Sequence, residues 1–229
     1  MRRLIDVVAR TGPVLLDFDG PVCGLFAGGR VATVAARLRD VLAAHGVDLG
    51  TIWNNDQDLL NLLQRFQRFA PDLLPVVENA LVHEEVTAAK VAPPTTHAHE
   101  AIRACHANGR PIVIVSNNAP QAVRAYLDQH ELSHLIRGVV GRAHARPDLM
   151  KPHPDPVRRA LAMLGARPDE CVLVGDSDTD MQVARATGVH PVGFANRPGK
   201  RTQLERAGAE VVIDSMAAFA AAVSTSAGS

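Results

Sequence analysis

The sequence predicts an α/β fold, a parallel sheet with helices on both faces, and three observations carry that prediction. Short apolar runs recur along the chain, each rich in Val, Ile or Leu on both alternations, as strands covered on two faces require. Helical patterns separate most of these runs. Gly165, Gly188 and Gly208 stand where those helices would end.

The first run, "VLLDF" at 14–18, is bounded by Pro13 and Gly20 and reads as a short buried strand. The stretch 22–94 then breaks the alternation, because it contains no convincing β run. "RVATVAARLRDVLAAHG" spaces Val31, Val34, Ala35, Leu38, Val41 and Leu42 as one helix face does. "DLLNLLQRFQRFA" supplies Leu59, Leu60, Leu63, Phe66 and Phe69, and "LPVVENALVHEEVTAAK" continues as a further helix. The expectation is a small helical cap at 22–94, inserted into a discontinuous core of 1–21 and 95–223. "VAPPTTHAHE" is the return linker, with Pro93 and Pro94 stopping the preceding helix.

Beyond the linker the alternation resumes. "PIVIVSNN" at 111–118 is a strand, "PQAVRAYLDQHEL" a helix, and "IRGVVG" at 136–141 a weaker strand. "DPVRRALAMLGA", "DMQVARATG" and "RTQLERAG" are helices. "CVLVGDSD" at 171–178, "VHPVGFAN" at 189–196 and "AEVVID" at 209–214 are the remaining strands. This order gives a Rossmann-like core. The terminal "STSAGS", 224–229, has too little apolar content to pack and is expected to be disordered.

Composition excludes more than it selects. Lys plus Arg equals Asp plus Glu at 24 each, so charge gives no reason to propose nucleic acid or an acidic membrane as a partner. Aromatic residues are only 3% of the chain, which argues against a base-stacking platform. Cys23, Cys105 and Cys171 lack metal-knuckle spacing and read as buried free thiols. The uncharged N-terminal stretch is too short to span a membrane, and a cytoplasmic protein is the default expectation.

The polar residues at the strand ends carry the chemistry. Asp17 and Asp19 close the first strand; Ser116, Asn117 and Asn118 close the second; Lys151 follows the weak one. Asp176, Asp178 and Asp180 follow the run at 171. Ligands of open α/β sheets bind outside those strand ends. Carboxylates crowded there repel and lose hydration unless a cation compensates, and a hard divalent ion with oxygen ligands suits the task.

In that arrangement the chain resembles the haloacid-dehalogenase superfamily, as a phosphatase with a helical cap after its first catalytic segment (phosphoglycolate-phosphatase-like). "DFDGPV" at 17–22 is similar to the first motif, "VSN" at 115–117 to the second, the lysine of "KPHPD" at 151–155 to the third, and "GDSDTD" at 175–180 to the fourth. Pro21 stands where many relatives carry threonine. The resemblance implies Mg²⁺-dependent hydrolysis of a small phosphorylated metabolite. Asp17 is then the nucleophile and Asp19 the acid and base, with Lys151 as electrostatic partner. Ser116, Asn117 and Lys151 hold phosphate, the Asn117 contribution coming from backbone or side chain. Asp17, the Asp19 main-chain carbonyl and Asp176 hold the metal, and Asp180 supports it through water or Lys151.

Other residues leave two readings open. Asp178 reads as a helix cap, Asn118 as a structural residue, with capping by Asn118 or Ser116 as one reading, Gly20 as a turn residue, and Gly175 as room for close approach before Asp176. His97 and His99 read as a solvated helix start, and His153 as exposed. Arg30, Arg65 and Arg68 either cover helix surfaces or meet an anionic substrate. Trp53 lines the substrate entrance or anchors the cap core. A sugar-phosphate mutase is the nearest alternative function. A hydrolytic dehalogenase, a phosphonate hydrolase and a non-catalytic binding protein are further ones.

Overall fold

The computed structural model describes residues 1–46 and 59–226. Helix α1 (Arg2–Arg10) leads into β1 (Val14–Leu16), after which come α2 (Arg30–Ala44), α3 (Leu59–Phe69) and α4 (Leu74–Ala89). Next are α5 (Ala98–Ala107), β2 (Ile112–Val115), α6 (Pro120–Gln129), β3 (Gly138–Val140) and α7 (Asp155–Leu164). The chain finishes with β4 (Val172–Gly175), α8 (Asp178–Thr187), β5 (His190–Phe194), α9 (Lys200–Ala207), β6 (Val211–Ile213) and α10 (Met216–Ser226).

The strands form one sheet in the order β3-β2-β1-β4-β5-β6, and every pairing is parallel. β1 is central, with Leu15 opposite Val113 on one side and Leu173 on the other. The strand order reverses beside β1, because β2 and β3 lie to one side and β4, β5 and β6 to the other. That reversal opens a crevice at the C-terminal ends of β1 and β4, the place where ligands of doubly wound sheets bind.

Both faces of the sheet are covered. Val14, Leu16, Ile112, Ile114, Val172 and Val174 point into a core with α1, α5, α6 and α10. Leu15, Val113, Val115 and Leu173 point the other way, onto Val157 and Ala160 of α7 and Val183 and Ala184 of α8. Alternation along each strand thus feeds two apolar layers, which is why the runs carry no polar face. Every predicted strand forms, including the weak one at 136–141.

Helices α2, α3 and α4 bury a separate cluster in which Leu38, Leu42, Leu63, Phe66, Val77 and Leu81 are almost fully enclosed. Each such side chain contributes roughly 1.5–3 kcal/mol on burial. The two connections to this helical group run side by side. Cys23 pairs antiparallel with Pro94, Gly24 N donates to Pro93 O and Thr95 N donates to Val22 O.

The structure corrects the expectation for the tail. Residues 224–226 form the last turn of α10. Ser224 Oγ and Thr225 Oγ1 donate back to the carbonyls of Ala220 and Ala221, and Arg110 donates to Ser226 Oγ at 2.9 Å. Short hydroxyl side chains thereby take up helix carbonyls despite their low apolar content. Residues 227–229 and Trp53 lie outside the described residues. All three cysteines are buried and free. Among the described residues, no helix is long and apolar enough to cross a membrane.

Candidate active site

β1 delivers Asp17 to the crevice because it ends at Leu16 and the chain turns immediately afterwards. Asp17 N still donates to Val174 O, continuing the β1–β4 pairing by one residue. Phe18, between the two aspartates, is fully buried and meets Tyr126 edge-on with ring centres 5.4 Å apart. Gly20 then takes φ +106°, a value that L side chains rarely adopt, and a Cβ there would sit 2.5 Å from Asp176 Cγ. The turn glycine is therefore also what admits Asp176 beside the first strand.

Lys151 unites the segments. Its Nζ lies 2.7 Å from Asp17 Oδ1, 2.6 Å from Asp180 Oδ1 and 2.9 Å from the Val115 carbonyl. Burial alone would lower the lysine pKa, but Asp17 and Asp180 outweigh it and hold the ammonium protonated. Burial pushes Asp17 well above the usual carboxylate range, Asp180 adds to this, and Lys151 opposes it. Asp19 is pushed up to about 6, chiefly by burial; the Leu25 N–H that it accepts works against that rise.

One carboxylate oxygen from each of Asp17, Asp176 and Asp180 lies within 4.8 Å of the others, a spacing that a cation can bridge. The Asp19 side chain is not in this trio and turns instead to the Leu25 amide. Both Asp180 oxygens are already occupied, one by Lys151 and the other by the Ser177 amide and hydroxyl. Asp17 and Asp176 each keep one oxygen that accepts no hydrogen bond among the described residues.

Several assignments made from the sequence change. The cap of α8 is Ser177, whose hydroxyl accepts from Asp180 N; Asp178 is the first residue inside the helix. Gly175 makes its close approach to Asp180, where an added Cβ would lie 2.4 Å from Cγ. The Asn117 side chain is turned to the Lys151 backbone, donating to its carbonyl and accepting from its amide. It holds the lysine loop and is not aimed into the crevice. Asn118 is structural as expected, but as a buried link and not as a cap: its side chain bonds Ser116 Oγ and Glu85. Ser116 is 1% exposed, its hydroxyl donating to Asn118 Oδ1. His97 is exposed as expected, but His99 is half-buried and bonds the Tyr126 hydroxyl. His153 accepts from Asp155 N.

A cleft of about 1150 Å³ opens beside these residues, between the sheet edge and the α2–α4 group. Asp19, Asp176 and Asn118 line its floor, while Phe26, Val31 and Leu59 come from the helical side. Arg197 lines it, whereas Arg30, Arg65 and Arg68 do not.

Two groups were not found from the sequence. Arg142 is buried and donates to Glu78 at 2.9 Å, to both oxygens of Glu85 at 3.0 Å and to the Asn117 carbonyl at 2.7 Å. Glu85 also accepts from Ala119 N. On the other side of the crevice, Lys200 and Asn196 bond Asp176. Glu85 and Lys200 occur in ordinary helical patterns, and no local signal distinguishes them.

Comparison with known proteins agrees with this arrangement. The family profile described as haloacid dehalogenase-like hydrolase matches residues 14–188, well over half of the chain. A phosphoglycolate phosphatase of Salmonella typhimurium is 31% identical over 98 residues. That match covers 43% of this chain and 38% of the relative, so well under two thirds of the curated protein's length is spanned. Among solved structures, a HAD family hydrolase from Deinococcus radiodurans with bound phosphate and sodium is 28% identical, with TM-score 0.63 over 95% of this chain and 97% of that one. CbbY from Rhodobacter sphaeroides in complex with phosphate has TM-score 0.68 at 20% identity, over 90% of this chain and 95% of that one.

Proposed function

The chain belongs to the haloacid dehalogenase-like hydrolase family, and from that premise we propose that it is a magnesium-dependent phosphatase of small phosphate monoesters. The observation that carries the reading is the buried Lys151 ammonium bridging Asp17 and Asp180 at the switch point of the sheet. Phosphate bound to the similar Deinococcus and Rhodobacter proteins, and the phosphatase name of the Salmonella relative, support it.

The residues fit a divalent cation. Asp17 and Asp176 each keep an open carboxylate oxygen, and the absent Cβ of Gly20 is what lets the Asp176 carboxylate stand beside the end of β1. Asp17, Asp176 and the Asp19 carbonyl would hold the ion, with Asp180 steadying the set through Lys151. When bound, Mg²⁺ supplies positive charge that offsets the carboxylates and the phosphoryl oxygens.

Asp17 attacks phosphorus, forming the Asp17–phosphorus bond while the bond to the ester oxygen breaks. Asp19 gives its proton to the departing oxygen, so an alcohol leaves and an aspartyl-phosphate remains. A carboxyl lifted to about 6 carries its proton near neutrality in a larger fraction than an ordinary aspartic acid does. Asp19, now ionised, takes a proton from water, which attacks phosphorus and releases inorganic phosphate from Asp17. Lys151 and the Ser116 hydroxyl stabilise the phosphoryl oxygens. Asn117 contributes through its main chain, because its side chain holds the Lys151 loop. Helices α2–α4, within the cap at 22–94, cover the leaving group and exclude bulk water.

A phosphate-release screen over small monoesters, phosphoglycolate included, tests the proposal when run with Mg²⁺ and again with chelator. Release that the chelator abolishes is expected. Mass analysis that finds a sugar phosphate isomerised with no net release would replace the phosphatase by a mutase.

A further inference from the structure

Asp176 is gripped by residues that the proposed reaction does not use. Lys200 Nζ lies 2.6 Å from Asp176 Oδ2 and also donates to the Asp176 main-chain carbonyl. Asn196 Nδ2 donates to the same Oδ2 at 2.8 Å. Lys200 is only 8% exposed and opens α9 directly after Gly199. Both circumstances work against a lysine. Burial strips water from the ammonium, and the first turn of a helix already carries the positive end of its dipole. A residue set against its local preference in two ways points to the site it serves.

We propose that Lys200 is a positioning residue that tunes the divalent-cation site. It fixes the rotation of Asp176 and, as a positive charge on that carboxylate, weakens the hold on the cation. The proposal rests on the reading of Asp17 and Asp176 as metal ligands. Two effects oppose each other. Clamping orders the carboxylate and favours the ion, whereas ammonium and ion repel across the group they share. Asn196 is a second, uncharged clamp on the same oxygen, so the orientation survives loss of the lysine charge. Repulsion therefore decides the sign. At an effective dielectric of about 20, positive charges on one carboxylate repel enough to change an affinity by about tenfold or more. The lysine also stabilises the site without metal, by offsetting one of three crowded carboxylates.

Isothermal titration of the whole protein with MgCl₂ tests this for wild type, Lys200→Met, Lys200→Gln and Lys200→Arg. The two uncharged variants should bind Mg²⁺ about tenfold or more tightly than wild type, and Lys200→Arg should stay within about threefold of it. In chelator the uncharged variants should melt below wild type, and Mg²⁺ should close that gap. A role confined to packing would weaken binding or leave it unchanged, so tightening is diagnostic. The Gln variant keeps a donor toward Asp176 and serves should Met fail to fold. Affinity equal to or weaker than wild type in the folded uncharged variants overturns the proposal and leaves the metal reading standing. Absence of Mg²⁺ binding in wild type and all variants overturns both.

Discussion

Lys151 Nζ donates to two carboxylates and a main-chain carbonyl while buried, so each neighbour depends on its charge. Removing one partner from a buried ionic set leaves uncompensated charge, at a cost of about 3–5 kcal/mol. Lys151→Ala should therefore lower the melting temperature markedly as well as turnover, checked by thermal melts beside a phosphate-release assay. Asp17→Asn separates the two effects. Asparagine keeps an acceptor toward Lys151 and relieves one crowded charge, so the fold should persist. Turnover should fall by about a thousandfold or more, as expected when a nucleophile is lost. Near-wild-type turnover by a folded Asp17→Asn protein would remove Asp17 from that role. At this scale the sequence showed residues whose meaning is local: carboxylates at the end of an apolar run, or a serine following one. It hid Glu85, Arg142, Asn196 and Lys200, whose partners belong to other elements far away in the chain.

α8 begins where β4 ends, and the junction accounts for the burial of Asp180. Ser177 caps the helix and at the same time donates to Asp180 Oδ2, so one side chain ends the strand loop and fixes the lysine's second partner. Gly175 makes the junction possible, its missing Cβ leaving room for Asp180. Gly175→Ala should push Asp180 off Lys151, lowering turnover at least about tenfold and stability by about 1–3 kcal/mol, as overpacked sites do. Enzyme kinetics and urea unfolding would measure both, and an alanine variant with wild-type values in each would show that the space is not needed. Helices were legible where polarity alternates with their own period, and strands where a short run is apolar throughout. α10 escaped because "MAAFAAAVSTS" offers almost no polar face to set against the apolar one. α1 and α5, which complete the same layer, are short helices whose charged and histidine residues draw attention from their buried stripes.

Across the whole molecule, the Arg142 cluster joins α4 to the loops that follow β2 and β3. Glu78, with two carboxylates and one guanidinium in this buried group, has its pKa raised by burial against the pull of Arg142. A carboxyl whose folded pKa exceeds the unfolded value stabilises the fold below the unfolded value, and that contribution is lost as pH rises through the folded one. Wild-type stability relative to Glu78→Gln should therefore be greatest below the ordinary value of 4.5 and decline as pH climbs above it. Thermal melts of both proteins from about pH 4 to about pH 8 would show the difference, and parallel curves would refute it. The overall layering was legible because parallel strands and the helices between them repeat. The join between α4 and the sheet was not, since it is made by side chains far apart in the chain. One further consequence comes from the paired connections at Cys23 and Pro94. A polypeptide that leaves and re-enters at nearly the same point spans no distance, so the intervening helices form a cassette whose further attachment is α4, through Glu78 and Glu85 on Arg142. Exchanging that cassette for one of another length leaves the ends of β1 and α5 where they are. Changes in α2 and α3 can thus rewrite what reaches Asp17 while α4 keeps its hold on the loops after β2 and β3.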